Sequence, residues 1–126
     1  MKAQAPDLLF VVTSVGTEEQ ALDIAHTLVR RRLAACVNIV PGVKSVFRWK
    51  GKVQQEGELM LVIKTLAAHE NAVSAVIREL NAYELPEIVG FAPAFADRAF
   101  AAWVAESSTG VDGDDDEDEP GEATID

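Results

Sequence analysis

A single cysteine, Cys36, stands in a chain of 126 residues, so no internal disulfide can form and a secreted, disulfide-stapled scaffold is excluded. Long apolar runs are also missing. LLFVVTSV (8–15) is too short to span a membrane, and no small-residue cleavage site follows it, so a soluble, cytoplasmic protein is expected. No GxGxxG or Walker-type loop occurs, which removes the standard nucleotide cradles. The nearest approach to an RNA-recognition motif is KGKVQQEG (50–57), which lacks the aromatics on which bases would stack. The basic cluster Arg30–Arg31–Arg32 falls where a helix is expected to end, and a helix C-terminus favours cations without any nucleic acid. Neither nucleic acid nor a membrane is expected as a partner.

Basic residues are absent from the last stretch, VDGDDDEDEPGEATID, which carries nine acids. Residues 1–110 hold 12 acids against 11 bases, so the formal charge of −10 belongs almost wholly to the tail. Such a composition cannot bury a core, and the reading is a domain over 1–107 followed by an acidic, disordered tail over 108–126. The tail is expected to add solubility, with metal buffering or a basic partner as the alternatives; its six consecutive carboxylates (114–119) could hold cations only loosely.

What is present is a regular alternation of patterns. LLFVVTSV reads as a strand buried on both faces. Thr17 and Gln20 suggest a capping box opening a helix over about 17–32, with Leu22, Ala25, Leu28 and Val29 as its apolar stripe and His26 on its solvated face. AACVNIV and VKSVFRWK form one long strand bent at Pro41–Gly42, KGK (50–52) turns, and VQQEGELMLVIKT returns. The distal part of this hairpin should project from the domain, exposing Val46, Phe47 and Trp49 to a partner. Val73, Val76, Ile77 and Leu80 mark a second helix over about 68–81, with His69 as a partly buried residue at its start. EIVGFA gives a short fourth strand, and Asp97 caps a last helix bearing Phe100, Trp103 and Val104.

The order β-α-β-β-α-β-α predicts an α+β fold, a ferredoxin-like βαββαβ sandwich with an extended β-hairpin and a C-terminal helix. That fold decides no function. Cys36 lies between Ala35 and Val37 in a strand, with no histidine placed beside it, so catalysis through it is not expected. As a metal ligand it would need partners from elsewhere, which neighbouring subunits could supply. No other pair of nucleophile and base can be named, and no enzyme is expected.

Five segments in order, LAACVNIVPG, FRWKGKV, ELMLVIKT, YELPEIV and the Phe100-x-x-Trp103 pair, resemble the CutA family of divalent-cation tolerance proteins over roughly residues 8–106. The resemblance implies a homotrimer similar in architecture to the PII signalling trimers, with hairpin strands joining sheets between subunits and Phe47 and Trp49 at the interface. It further implies a part in tolerance of copper and other divalent metals, and for animal members the anchoring of acetylcholinesterase. Some bacterial members assign copper to a cysteine late in the first strand and to a histidine pair before Pro-Tyr. The matching positions here are Thr13, Leu80 and Asn81, followed by Ala82, and a hydroxyl, an alkyl group and an amide make a poor soft-metal site. Cys36, Lys64, Tyr83 and Glu87 match positions near the family's intersubunit cleft. There Lys64 could meet an anionic ligand, and Glu87 could pair with it or take a metal; the alternative is an ion pair that fixes the trimer. Copper or another divalent ion, bound weakly with Cys36 as its nearest soft ligand, is one expectation. A PII-like sensor of a small anion is the other.

Overall fold

A computed structural model describes residues 7–111 of the chain. Strands β1 (Leu8–Val15), β2 (Cys36–Trp49), β3 (Lys52–Leu66) and β4 (Val89–Phe91) form one antiparallel sheet in the order β2-β3-β1-β4. Helices α1 (Glu18–Arg30) and α2 (Glu70–Leu80) connect the strands, and α3 (Arg98–Ser107) follows β4. This is the ferredoxin-like arrangement expected from the element order.

Period-2 alternation along the two central strands explains how the core is built. Val11, Thr13, Val15, Leu61, Ile63 and Thr65 are all buried, and the register pairs Val11↔Ile63 and Thr13↔Leu61 place them on one face. Ile24 and Leu28 from α1 and Val73, Val76 and Ile77 from α2 close over that face. Burying each large aliphatic side chain contributes about 1.5–3 kcal/mol, which makes this layer the main source of stability.

The helix face of α1 differs from the expected stripe. Ala21, Ile24, Ala25 and Leu28 are buried, whereas Leu22 and Val29 are 41% and 42% exposed. The buried set follows i, i+3, i+4, i+7, and the small Ala21 and Ala25 let the helix sit close to its neighbours. The capping box is only half formed. Thr17 Oγ1 accepts from the Gln20 N–H, but the Gln20 side chain accepts from the N–H of Ala82, bracing the loop after α2 instead. The helix ends at Arg30 because the Leu33 and Arg32 N–H groups turn back to Leu28 and Val29, with Arg32 in the left-handed region at φ 55°. His26 is exposed, as expected. The second helix begins later than expected, since Ala67–His69 form a turn of 3-10 helix before it.

The long hairpin has its register shift between Val40 and Val43, at Pro41–Gly42, and pairs out to Trp49↔Lys52. Lys50 and Gly51, both with positive φ, make the tight connection, a geometry that suits the twist of the flanking strands and for which glycine is favoured. Its distal half is largely exposed, with Val46 at 67% and Val53 at 65%.

The boundary expected at 107/108 runs through packed structure. Ser108 is buried, its carbonyl accepts from His69 Nε2–H, and the Gly110 N–H donates to the Arg32 carbonyl at 2.8 Å. Residues 108–110 therefore belong to the body, because a chain bonded to two other elements is no longer a free tail. The rest of the acidic stretch, 112–126, lies outside the described residues.

Candidate functional site

The second face of the sheet is the less covered one. Cross-strand partners point the same way, so two rows can be read across all four strands: Cys36–Lys64–Phe10–Phe91 and Asn38–Val62–Val12–Val89. A third row, Val40–Met60–Ser14, lies beyond them. α3 covers only the end of this face at Leu8, through Ala101 and Val104 with Phe100 alongside. The remainder is apolar and open: Phe10, Val12, Met60 and Val62 are half-buried, while Val40, Val89 and Phe91 are exposed. Only at its ends, at Leu8 and Ser14, is β1 buried on this second face; the expectation of burial on both faces fails at Phe10 and Val12, over which no helix lies among the described residues.

Cys36 and Lys64 sit directly opposite one another in the first row, at the margin of the cover given by α3. The Lys64 ammonium lies 5.9 Å from the Phe10 ring centroid and 5.8 Å from that of Phe100, so its charge is held between two aromatic faces. Glu87 is exposed and precedes Val89, which pairs with Val12 rather than Phe10, so the Lys64–Glu87 ion pair is not formed within the subunit. Tyr83 is also apart from this pair, bonded to the middle of β3. Its hydroxyl donates to Glu58 Oε2 at 2.7 Å. The four cleft candidates therefore divide into Cys36 with Lys64 and, separately, Tyr83 and Glu87.

The Tyr83 corner is tightly braced. Asn81, 7% exposed, donates to the Ser14 carbonyl at 3.0 Å and accepts from the Tyr83 N–H at 2.9 Å. Gly16 leaves room for the phenol, since a Cβ there would lie 3.3 Å from the Tyr83 hydroxyl. Burial, and then the hydrogen bond and negative charge of Glu58, push the Tyr83 hydroxyl up to about 12 from 10.0. A raised value means that the folded state prefers the protonated phenol, so this contribution is complete below pH 10 and fades as the pH rises through 12. Tyr83 is the only tyrosine. Tyrosinate absorbance should accordingly rise in one step near pH 12 in the folded protein and fall toward 10 in Glu58→Gln, whereas a native step at 10 would refute the brace.

The residues at the family's copper positions do not fit copper. Thr13 Oγ1 is buried without a partner, Leu80 packs on the core, and both polar atoms of Asn81 are engaged. Among the described residues no group of three or more His, Cys, Asp or Glu side chains could hold a metal ion. Glu58, the Gln20–Ala82 bond and the His69–Ser108 contact went unnoticed in the sequence; a carboxylate opening an apolar strand at Glu58 was the available signal.

At the hairpin tip, the Lys50 ammonium lies 5.6 Å from the Trp49 ring centroid and 3.7 Å from a Glu84 carboxylate oxygen. Phe47 is 39% exposed and Trp49 half-buried. No helix is long and apolar enough to cross a membrane among the described residues.

Comparison with known proteins agrees with this architecture. The family model described as CutA1 divalent ion tolerance protein matches residues 9–107. The divalent-cation tolerance protein CutA of Thermus thermophilus is 41% identical over 98 residues, covering 78% of this chain and 95% of its own length. Protein CutA of Mus musculus is 32% identical over 75% of this chain but only 53% of its own length, so the chain spans about half of that animal relative. Among solved structures, that of the T. thermophilus Cut A1 protein superimposes with a TM-score of 0.78 at 40% identity, covering 80% of this chain and 98% of its own. CutA1 of Oryza sativa gives 0.80 at 30% identity, covering 84% and 97%. With the family model spanning nearly the whole described body, the chain belongs to the CutA1 divalent ion tolerance protein family.

Proposed function

We propose that the chain acts as a homotrimer in the response to, or tolerance of, divalent metal ions, copper among them, as a binding rather than a catalytic protein. The observation that carries this reading is the open apolar sheet face, two full rows wide, in a member of the divalent ion tolerance family. An apolar surface of this extent calls for a protein partner. Identical subunits supply one by symmetry, and the family resemblance implies three of them. The exposed hairpin, with Phe47 and Trp49, offers the arm that would reach a neighbour. Assembly would bring Cys36 and Lys64 against a second subunit, which is where any additional ligands for a divalent ion would come from.

Tyr83 is not suited to act as a base in this site. A phenol pushed up to about 12 stays protonated at neutral pH and is a poor general base. A cytoplasmic setting agrees with the single unpaired thiol. The experiment is growth in excess copper of cells lacking their own family member. The chain should restore growth, and failure to do so at normal expression would overturn the metal-response reading.

The Lys64 ammonium between two rings favours a second reading, a PII-like sensor that holds a small anion. A thermal-shift screen of nucleotides and metabolites should then yield a hit that Lys64→Ala abolishes; no such hit removes this reading.

A further inference from the structure

The long hairpin loses its third strand where β1 ends. Val15↔Leu59 is the last pair between β1 and β3, so residues 43–58 continue beyond it as a two-stranded ribbon. Such a ribbon is only marginally stable by itself and twists more than a full sheet. Among the described residues, none of 43–58 belongs to the apolar clusters that hold the body together. The ribbon is linked to the body by the short loop after α2, where four successive residues each bond a different element. Asn81 donates to the Ser14 carbonyl of β1 at 3.0 Å, and the Ala82 N–H donates to Gln20 Oε1 of α1 at 3.1 Å. The Tyr83 hydroxyl donates to Glu58 Oε2 of β3 at 2.7 Å, and a Glu84 carboxylate oxygen lies 3.7 Å from the Lys50 ammonium in the turn. Glu58 stands at the root of the ribbon and Lys50 at its tip, so two adjacent loop residues hold both ends. Glu58 pairs with Val43, and the strand period of two puts it on the ribbon face that carries Phe47 and Trp49.

We infer that the loop Asn81–Glu84 is a brace that sets the direction of the hairpin arm, with the Tyr83 hydroxyl as its principal positioning group. Magnitudes separate the two contacts that reach the arm. The Lys50 and Glu84 side chains are 71% and 74% exposed, and an ion pair in that setting contributes little. The Tyr83–Glu58 bond is short and its acceptor is charged, and bonds of this kind are roughly twice as strong as neutral ones. Its donor is also fixed from behind, since Asn81 holds the Tyr83 N–H at 2.9 Å and Gly16 leaves room for the ring. The consequence for assembly rests on the homotrimer reading above. An arm that already points toward its neighbour loses less freedom on docking, so the brace strengthens assembly by preorganisation.

The test reads the arm directly. Full chains carrying Cys36→Ser, Gln55→Cys on the arm and Glu79→Cys on α2, both exposed positions, are labelled with nitroxides. They are refolded with an excess of unlabelled chain, so that each measured spin pair lies within one subunit. Double electron–electron resonance should give one narrow distance distribution. In Tyr83→Phe and in Glu58→Ala it should widen to at least about twice that width, as befits an unsupported two-stranded ribbon. Glu58→Gln, which still accepts from the phenol, should widen it less than Glu58→Ala. Tyr83→Phe keeps the ring beside Gly16, so this variant should fold. Widths unchanged in both Tyr83→Phe and Glu58→Ala would overturn the inference, as would a Glu58→Gln no narrower than Glu58→Ala. For assembly, light scattering on dilution of unlabelled Tyr83→Phe should show dissociation at a concentration at least about tenfold higher than for the native chain. A wider arm with unaltered dissociation would overturn the preorganising role. A native chain of single-subunit mass at every concentration would instead sink the homotrimer reading, while the distance distributions would still decide the brace.

Discussion

Val62→Asp should convert the assembled protein into single, folded subunits. Val62 sits in the second row of the open face, between Asn38 on β2 and Val12 on β1, and is half-buried in the isolated subunit. There a carboxylate can reach water beside Asn38, so the α1–α2 core on the opposite face is undisturbed. Packed against a second subunit, the same carboxylate would lose its hydration without a partner. The penalty is several kcal/mol per site, larger than most single interface contacts contribute. Light scattering should report three times the 13.6 kDa chain mass for the native protein and one chain mass for the variant, with the helical circular dichroism retained. An unchanged mass in Val62→Asp would show that the open face is not the interface.

The second large effect is expected at Asn81. Its side chain joins the end of β1, at Ser14, to the loop that carries Tyr83, and it is 7% exposed. Asn81→Ala removes both hydrogen bonds at once and leaves the Ser14 carbonyl and the Tyr83 N–H without their partners. Two such losses at a buried site amount to about 2–4 kcal/mol. Denaturant unfolding should be compared at one fixed protein concentration, since an oligomer's midpoint depends on it. Tyr83 should loosen as well, and its titration should move down from about 12. A change below about 0.5 kcal/mol, the size of an ordinary surface substitution, would mean that the loop is held by other contacts.

Much of the fold was legible because the signals were local. The Asp97 cap, whose carboxylate accepts from the Phe100 N–H, and the bend at Pro41–Gly42 follow from single residues. The face of α1 was misjudged by one position, since Ala21 looks neutral in sequence and only close packing shows that it is interior. The strap at 108–110 was invisible for a different reason. Ser-Thr-Gly reads as linker, and its anchors, His69 and Arg32, are 39 and 78 residues from their partners. The same limit applies to the site. Cys36 and Lys64 fall opposite each other through strand register, which a sequence does not print, and the Tyr83–Glu58 bond joins residues 25 apart. By contrast, the poor fit of Thr13, Leu80 and Asn81 to copper could be read from side-chain chemistry alone, and the buried, engaged environment of Asn81 gives it a structural reason.

We propose that this chain takes part in metal tolerance without a tight soft-metal site of its own. Calorimetric titration of the purified protein with copper and with zinc tests that most directly, run beside Cys36→Ser and a form ending at Val111. The predicted result is weak binding, with Kd above about 10 μM, unchanged in Cys36→Ser. Submicromolar binding that disappears in Cys36→Ser would contradict it and would make the Cys36–Lys64 row a metal centre completed between subunits.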